Sequence, residues 1–286
     1  MTDSRTPPSR SFEASTRRLI ERSASASANR RARFAWAAPA PDRLAMSPAF
    51  TPLAGLAVYR ELSDERRWRL ALLEAVSFFS LNINGERDLM MGLEARLTGA
   101  APGHVSRYLP YFLHEEAAHT EVFNRFCLMY GGFIFRDRQI RFPQEFLPGE
   151  ENFVFFARAL IFEEIADFYN RQLAADDELW LLARDINRYH AEDEARHIAF
   201  GRLYVSSMWE EFGEHWSAEE KARIAGSLKR YLHSVQRLYV NADVYREIGV
   251  APEVREEILR SAHWTAIAEQ SARKLTRWLG SIGISI

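Results

Sequence analysis

Two copies of the spacing Glu-x-x-His constrain the fold of this chain more than any other feature. Glu116 precedes His119 by three residues. Glu194 precedes His197 by the same spacing. Residues three or four apart share one face of a helix, so each copy presents a carboxylate and an imidazole together. Two such helices form half of a four-helix di-iron carboxylate bundle, which needs one further glutamate from each of two other helices.

The second copy contains an additional histidine one helical turn upstream. His190 precedes Glu194 by four residues and gives the longer pattern H-x-x-x-E-x-x-H. A face with two imidazoles and a carboxylate packs poorly against apolar neighbours but suits iron or manganese. The zinc-protease pattern H-E-x-x-H does not fit, because no glutamate follows the first histidine. Taken alone, the stretch has an alternative interpretation as a solvated polar face that holds two histidines.

Apolar residues at helical spacing predict the additional helices. The predicted helices run from about residue 63 to 99, 104 to 130, 151 to 173, 176 to 212, 217 to 245 and 252 to 279. Asp176 and Asp177 are expected to cap the fourth of these helices, and an S-x-x-E capping box opens the fifth at Ser217. No segment alternates convincingly as a strand. The pattern predicts an all-α fold, with a four-helix bundle core and additional C-terminal helices.

A glutamate in the middle of each of two other helices completes the candidate set. Glu86 lies on an apolar stripe between Ile83 and Leu89, and an acid on a buried face needs a partner. The third predicted helix is apolar on most sides and contains Glu163 and Glu164. Helical phase does not decide which of these two points inward, and two solvated acids are the alternative.

Composition excludes several classes of protein. The chain has 286 residues and a formal net charge of −2, which gives no indication of a nucleic-acid partner. The only cysteine, Cys127, precludes an intramolecular disulfide, and its apolar neighbours favour a packing role over a catalytic one. The longest apolar runs are too short to span a membrane, so no membrane association is expected.

Residues 1–50 differ from the rest of the chain because they are rich in Ser, Ala, Pro and Arg. We expect an N-terminal arm that is partly disordered, with a helix from about residue 13 to 33, followed by a single helical domain over residues 51–286. The arm lacks the apolar centre of a signal peptide, and we expect a cytoplasmic protein. Its arginines leave a targeting segment as an alternative, although acidic residues interrupt the basic pattern.

At the candidate glutamates and histidines described above, the chain resembles the AurF-type di-iron N-oxygenases, which include p-aminobenzoate N-oxygenase and belong to the ferritin-like superfamily. The resemblance runs from about Leu62 to Tyr204, and its specific part is the additional histidine, His190. In the family, the spacing from the third-helix glutamate to that histidine fits Glu163 without a gap. The resemblance therefore implies seven metal ligands. They are Glu86, Glu116, His119, Glu163, His190, Glu194 and His197.

The resemblance also implies a reaction. Two iron ions, cycling between Fe2+ and Fe3+, would activate O2 as a peroxo-di-ferric species and N-oxygenate a small-molecule amine. The product would be a hydroxylamine, or a nitroso or nitro compound after further oxidation, in natural-product biosynthesis. Such an enzyme needs an external electron donor, and a homodimer is compatible with it. The metal ligands do not separate this reaction from oxygenation or desaturation at C–H bonds, which is the alternative. Iron storage is disfavoured by the additional helices.

Two acids beside the ligands look suited to a supporting role. Glu115 and Asp193 each precede a ligand glutamate and would accept the free ring N–H of a ligating histidine on the facing helix. Arg196 would neutralise such an acid, and a surface salt bridge is the alternative. We further expect an amine pocket on the apolar faces of the first three bundle helices, although each of its residues could simply be core. The expected lining residues are Phe79, Met90, Phe123, Phe156 and Leu160.

Overall fold

The computed structural model of the protein describes residues 10–27, 34–39, 42–97, 103–137 and 146–286. Apart from one isolated β-bridge between Leu44 and Leu179, all regular structure in these residues is helical, and the all-α prediction is confirmed. The α-helices are α1 (Arg10–Ser27), α2 (Ala57–Glu61), α3 (Asp64–Leu97), α4 (Gly103–Phe126), α5 (Glu150–Ala175), α6 (Leu181–Gly213), α7 (Ala218–Leu238), α8 (Ala242–Glu247), α9 (Val254–Ile258) and α10 (Ala262–Ser281).

Four long helices form the bundle. Helix α3 packs along α4, and α5 packs along α6. The two pairs meet so that α3 faces α5 while α4 faces α6. Helix α5 is buried on most of its circumference, as its apolar sequence predicts for a central helix. The helices α7 and α10 pack on the outer side of α5, so the C-terminal helices cover the bundle rather than form a second one.

Local sequence explains where the bundle helices begin and end. The Ser63 hydroxyl accepts a hydrogen bond from the Arg66 N–H at the start of α3. Acidic residues occupy the first turn of this helix, where their negative charge interacts favourably with the positive end of the helix dipole. Helix α4 continues into one π-helical turn over Cys127–Gly131. Gly132 ends that turn with φ of 82°, a left-handed conformation that glycine adopts without strain.

The predicted cap of the fourth helix is wrong. Helix α6 begins at Leu181, and the side chain of Asp176 instead accepts a hydrogen bond from the Glu178 N–H in the preceding turn. The last two predicted helices are each divided. Asn241 caps the start of the short α8 and Ser261 caps the start of α10, because their side-chain oxygens accept hydrogen bonds from backbone N–H groups in the first turn of each helix.

The helix predicted in the N-terminal arm is present as α1, which packs against α4 and α6. Phe12 and Leu19 are buried there, and the Phe12 ring meets His104 edge-on. The final residues of that predicted helix lie outside the described part of the chain, as do residues 1–9 and 40–41. The expected disorder and the division at residue 50 stay predictions. Within the described residues, every helix is too short or too polar to cross a membrane.

The capping box that the sequence predicts for α7 is present, and its removal should be measurable. The Ser217 side chain accepts from the Glu220 N–H at 3.2 Å, while the Glu220 carboxylate accepts from the Ser217 N–H at 2.7 Å. We expect Ser217→Ala to lower the free energy of unfolding by about 1 kcal/mol. Ser234→Ala, within the same helix, should cost nothing because alanine is the better helix former. Equal urea midpoints for Ser217→Ala and the unsubstituted protein would contradict the cap.

Candidate metal centre

The structure brings all seven predicted ligands together in the middle of the bundle. Each side chain is at most 4 % exposed. Helix α3 contributes Glu86 and α5 contributes Glu163, while the two motif-bearing helices contribute the other five. The helical spacing explains the convergence, because Glu116 and His119 share one face of α4.

The seven side chains form overlapping groups, each small enough to surround one metal ion. In every group the potential ligand atoms lie within 4.8 Å of one another. The groups are Glu86, His119 and His190; Glu116, Glu163 and His197; and Glu116, His119 and Glu194. The first two groups share no residue, so they define two positions. The third group joins them.

Glu116 and Glu194 occupy the space between the two positions. Glu194 Oε1 lies 2.9 Å from His190 Nε2 and 3.4 Å from His197 Nδ1, so one carboxylate oxygen faces both positions. Glu116 Oε1 lies 2.8 Å from His197 Nδ1, and its Oε2 lies 3.9 Å from His119 Nδ1. Both carboxylates therefore have the placement that bridging ligands need.

Many of the inward-facing atoms have no hydrogen-bond partner among the described residues, although they are fully buried. They are Glu86 Oε1, Glu116 Oε1, His119 Nδ1, Glu163 Oε1, Glu194 Oε2 and His197 Nδ1. His197 Nδ1 and Glu116 Oε1 lie 2.8 Å apart, but their relative orientation does not meet the angles of a hydrogen bond. Buried polar groups are rarely left unpaired, because the loss of hydration is costly. Convergent oxygen and nitrogen lone pairs of this kind fit a transition metal.

The electrostatics of the cluster also call for positive charge. Burial, together with the neighbouring Glu116, raises the pKa of Glu86 well above its usual range. Burial and the charge of Glu194 do the same to the pKa of Glu163. For Glu194 itself, burial acts to raise the pKa, but His190 and His197 outweigh it and hold the pKa far below its usual range. Cations at the two positions would favour the charged form of every carboxylate.

The supporting acids predicted from the sequence are confirmed, and they act crosswise between α4 and α6. Asp193 on α6 lies 3.1 Å from His119 Nε2 on α4. Glu115 on α4 lies 2.8 Å from His197 Nε2 on α6. A ring N–H donated to each carboxylate leaves the Nδ1 lone pair facing the metal positions. Arg196 Nη2 contacts both acids and lies 2.6 Å from Glu115 Oε1. These buried contacts rule out the surface salt bridges considered above.

His190 is oriented differently, by a residue that the sequence did not reveal. Its Nε2 faces Glu194 and Glu86, and its Nδ1 lies 2.7 Å from the Asn170 side-chain nitrogen. Asn170 Oδ1 has no partner among the described residues. Rotation of this amide would let Oδ1 accept from Nδ1–H and leave the Nε2 lone pair free for a metal. Asn170 follows Glu163 by seven residues, and this two-turn spacing is the signal that could have identified it.

The two adjacent glutamates of α5 point in different directions. Glu163 joins Glu116 and His197 at one metal position. Glu164 instead accepts a hydrogen bond of 2.6 Å from Arg202 Nε on the outer side of α5. Glu163 and Glu164 are both at most 4 % exposed, so the alternative of two solvated acids is wrong. A further missed residue is Thr120, whose hydroxyl donates to Glu86 Oε2 at 3.0 Å. No motif in the sequence indicates it.

Aromatic rings close the space around the histidines. The Phe112 ring stacks on His197 with centroids 4.0 Å apart, and Phe123 meets His190 edge-on at 4.9 Å. Four of the five residues expected to line an amine pocket are at most 3 % exposed, namely Phe79, Phe123, Phe156 and Leu160. The structure has a cavity of about 420 Å³ beside α3 and α5, and none of the five expected residues lines it. The structure therefore favours the alternative, in which these four side chains pack against their neighbours as core.

The family of the chain follows from a direct comparison. A family model described as P-aminobenzoate N-oxygenase AurF matches residues 10–283. The chain belongs to the AurF family. The match extends well beyond the segment on which the resemblance was based, and it includes α1 and α10. No curated protein matched the chain.

Solved structures with a similar course of the chain are R2-like ligand-binding oxidases. One mutant of such an oxidase, with anaerobically reconstituted Mn/Fe cofactor, has 16% sequence identity and a TM-score of 0.45, over 89% of this AurF-family chain and 93% of that chain. Another mutant, with aerobically reconstituted Fe/Fe cofactor, has 13% identity and a TM-score of 0.41, over 89% and 92%. These likenesses are too distant to assign a metal or a substrate.

Replacing Arg196 should destabilise the AurF-family bundle far more than replacing an exposed arginine of the same helix. Arg196→Ala leaves Glu115 and Asp193 buried without their shared cation, and we expect a loss of roughly 3 to 5 kcal/mol in the free energy of unfolding. Arg188→Ala is the matched control, because Arg188 forms an exposed ion pair with Asp185 on the same helix. The control should cost under about 1 kcal/mol. Similar losses for the two variants in urea unfolding would contradict the buried network.

Proposed function

We propose that this chain is a di-iron oxygenase that transfers oxygen from O2 to the nitrogen of a small-molecule amine. The observation that carries the proposal is the pair of three-residue groups joined by Glu116 and Glu194. A single metal site would need only one of these groups. Membership in a family described as p-aminobenzoate N-oxygenase supports nitrogen as the atom that is oxidised.

In this proposal, Glu86, His119 and His190 would hold one iron, and Glu163 and His197 would hold the other. Glu116 and Glu194 lie between the two positions and would supply carboxylate oxygens to both. Bound iron would supply the binding and reduction of O2, with electrons from an external donor. The four carboxylates carry a charge of 4 × (−1) and two Fe2+ carry 2 × (+2), so the filled cluster is neutral. Neutrality matters because the cluster is buried in a medium that poorly stabilises net charge.

The surrounding residues prepare the ligands for metal binding. Glu115 and Asp193 hold the ring N–H groups of His197 and His119 away from the centre, so that the Nδ1 lone pairs point inward. Asn170 would do the same for His190 through its Oδ1. The rings of Phe112 and Phe123 cover His197 and His190 and keep water away from them. Exclusion of water would limit side reactions during oxygen activation. The predicted homodimer and cytoplasmic location stay predictions.

Glu163 and Glu164 offer a matched test of the ligand set. Glu163→Gln removes a charged ligand of nearly the same shape, and we expect iron to fall from about two ions per chain to about one or fewer. Glu164→Gln changes the adjacent residue, which contacts Arg202 instead, and it should retain both ions. Metal analysis by mass spectrometry after aerobic iron loading decides between them. Full iron in Glu163→Gln would remove that residue from the ligand set.

The reaction is tested with a mixed set of amine and hydrocarbon substrates. The reduced, iron-loaded protein is given oxygen-18 gas with each arylamine or amino-acid-derived amine in turn. We expect a hydroxylamine, nitroso or nitro product that carries the label, identified by mass spectrometry. His190→Ala, with a ligand nitrogen removed, should form little or none. A labelled product from an alkyl or aryl C–H substrate, and none from any amine, would replace this proposal with C–H oxygenation.

A further inference from the structure

The side of the bundle formed by α4 and α6 is closed to a substrate. Glu115, Asp193 and Arg196 fill the space behind the histidines with buried ion pairs. Ser23 of α1 is fully buried over this network, with its hydroxyl 3.2 Å from Arg196 Nε. A molecule that entered here would have to separate charges that have no access to water, which costs several kcal/mol.

The seam between α3 and α5 is built differently, from glycine backbone and aromatic rings. A Cβ atom at Gly85 would lie 2.2 Å from Phe162 Cζ, so the ring rests directly on the backbone of α3. Seven residues along the same helix, a Cβ at Gly92 would lie 2.0 Å from Phe155 Cε2. Both rings are only partly buried. Contacts of this kind are dispersion contacts that a ring rotation can release, unlike the ion pairs on the opposite side.

A cavity of about 420 Å³ lies outside this seam, between α3, α5 and α7. Its volume falls in the range of small-molecule sites. The apolar part of its lining consists of side chains from α3 and α5, among them Leu81, Leu89, Val154, Phe155, Ala159 and Phe162. Charged side chains of α3 and α5 lie at the rim, including Arg96 and Glu151. The cavity therefore combines a largely apolar wall with charged groups at its entrance.

The cavity is lined by helical neighbours of two of the proposed metal ligands. Leu89 lies one turn after Glu86 on α3, and Ala159 lies one turn before Glu163 on α5. One turn is about 5.4 Å, so the cavity wall and the carboxylates are neighbours along each helix. Gly85 and Phe162, which close the seam at this level, directly precede Glu86 and Glu163 in the sequence. Glu86 and Glu163 belong to different metal positions, so the seam that Phe162 closes runs beside residues of both positions.

We propose that this cavity binds the amine substrate and that Phe162 controls its passage to the metal centre. The inference rests on the proposed function, because it takes the cavity's ligand to be the amine that is oxidised. The substrate class is an amine with an apolar body and an uncharged nitrogen. An apolar cavity disfavours an ammonium group, and oxidation at nitrogen requires the lone pair that a proton would occupy.

The test compares Phe162→Ala with Phe155→Ala. Both variants remove a ring that packs on a glycine of α3 and lines the cavity, but Phe155 lies two turns farther from the carboxylates and under Arg96, at the entrance. The first probe is 2,2′-bipyridine, a flat apolar chelator that extracts ferrous iron and colours as it does so. Phe162→Ala should speed extraction by roughly tenfold or more, the discrimination that one apolar group in a pocket provides. Phe155→Ala, which opens only the entrance, should speed extraction far less than Phe162→Ala does.

Nitric oxide is the size control, because a diatomic molecule needs no ring movement. Its rate of binding to the ferrous protein should be unchanged in both variants. Phe162→Leu, which retains an apolar side chain and is expected to fold normally, should give an intermediate extraction rate. Equal acceleration by both alanine variants, no acceleration by Phe162→Ala and Phe162→Leu, or faster nitric oxide binding in step with extraction would each overturn the gate.

A second arm uses aniline and 2-aminoanthracene, which differ in width. Phe162→Ala should improve kcat/KM for the wide amine relative to aniline, and Phe155→Ala should not. If both amines are oxidised but no Phe162 variant changes extraction or this ratio, the cavity assignment fails while the proposed function stands. If extraction depends on Phe162 but no amine is oxidised, the amine assignment fails together with the proposed function, and the passage itself is supported.

Discussion

Four glutamates are buried among four helices, and the surrounding residues must compensate the cost of removing these carboxylates from water. Isolated carboxylates in a protein interior lose their hydration, and burial raises the pKa values of Glu86 and Glu163 accordingly. Three imidazoles and two bridging placements surround the same space. A pair of divalent ions would satisfy all of these groups at once. The cluster is therefore best understood as a metal centre rather than a polar core.

The crosswise contacts between α4 and α6 show how the bundle keeps this cluster in order. Each helix contributes an acid that orients a histidine of its neighbour, His197 on α6 or His119 on α4, and Arg196 joins the two acids. This arrangement binds α4 to α6 through polar groups, while α3 and α5 meet through rings and glycine backbone. One side of the bundle is thus held by buried ion pairs, and the other by apolar contacts beside a cavity.

The features of the fold and the site that the sequence predicted are those set by short-range sequence patterns. Helical periodicity located the long helices, and the repeated Glu-x-x-His spacing identified the ligands of α4 and α6. Glu163 and Glu164 are adjacent, so helical phase alone did not separate them, and the spacing within the resembling family was needed. The sequence indicates the role of Asn170 only through its two-turn spacing from Glu163. The helix start at Leu181 and the cavity depend on packing between distant segments. No spacing in the sequence reports that packing.

We propose that two irons occupy two defined positions in one chain. Crystals of the iron-loaded protein, measured on both sides of the iron absorption edge, test this proposal. We expect two anomalous peaks per chain, one beside Glu86, His119 and His190 and the other beside Glu163 and His197, with Glu116 and Glu194 between them. A single peak, or iron peaks outside these side chains, would contradict it.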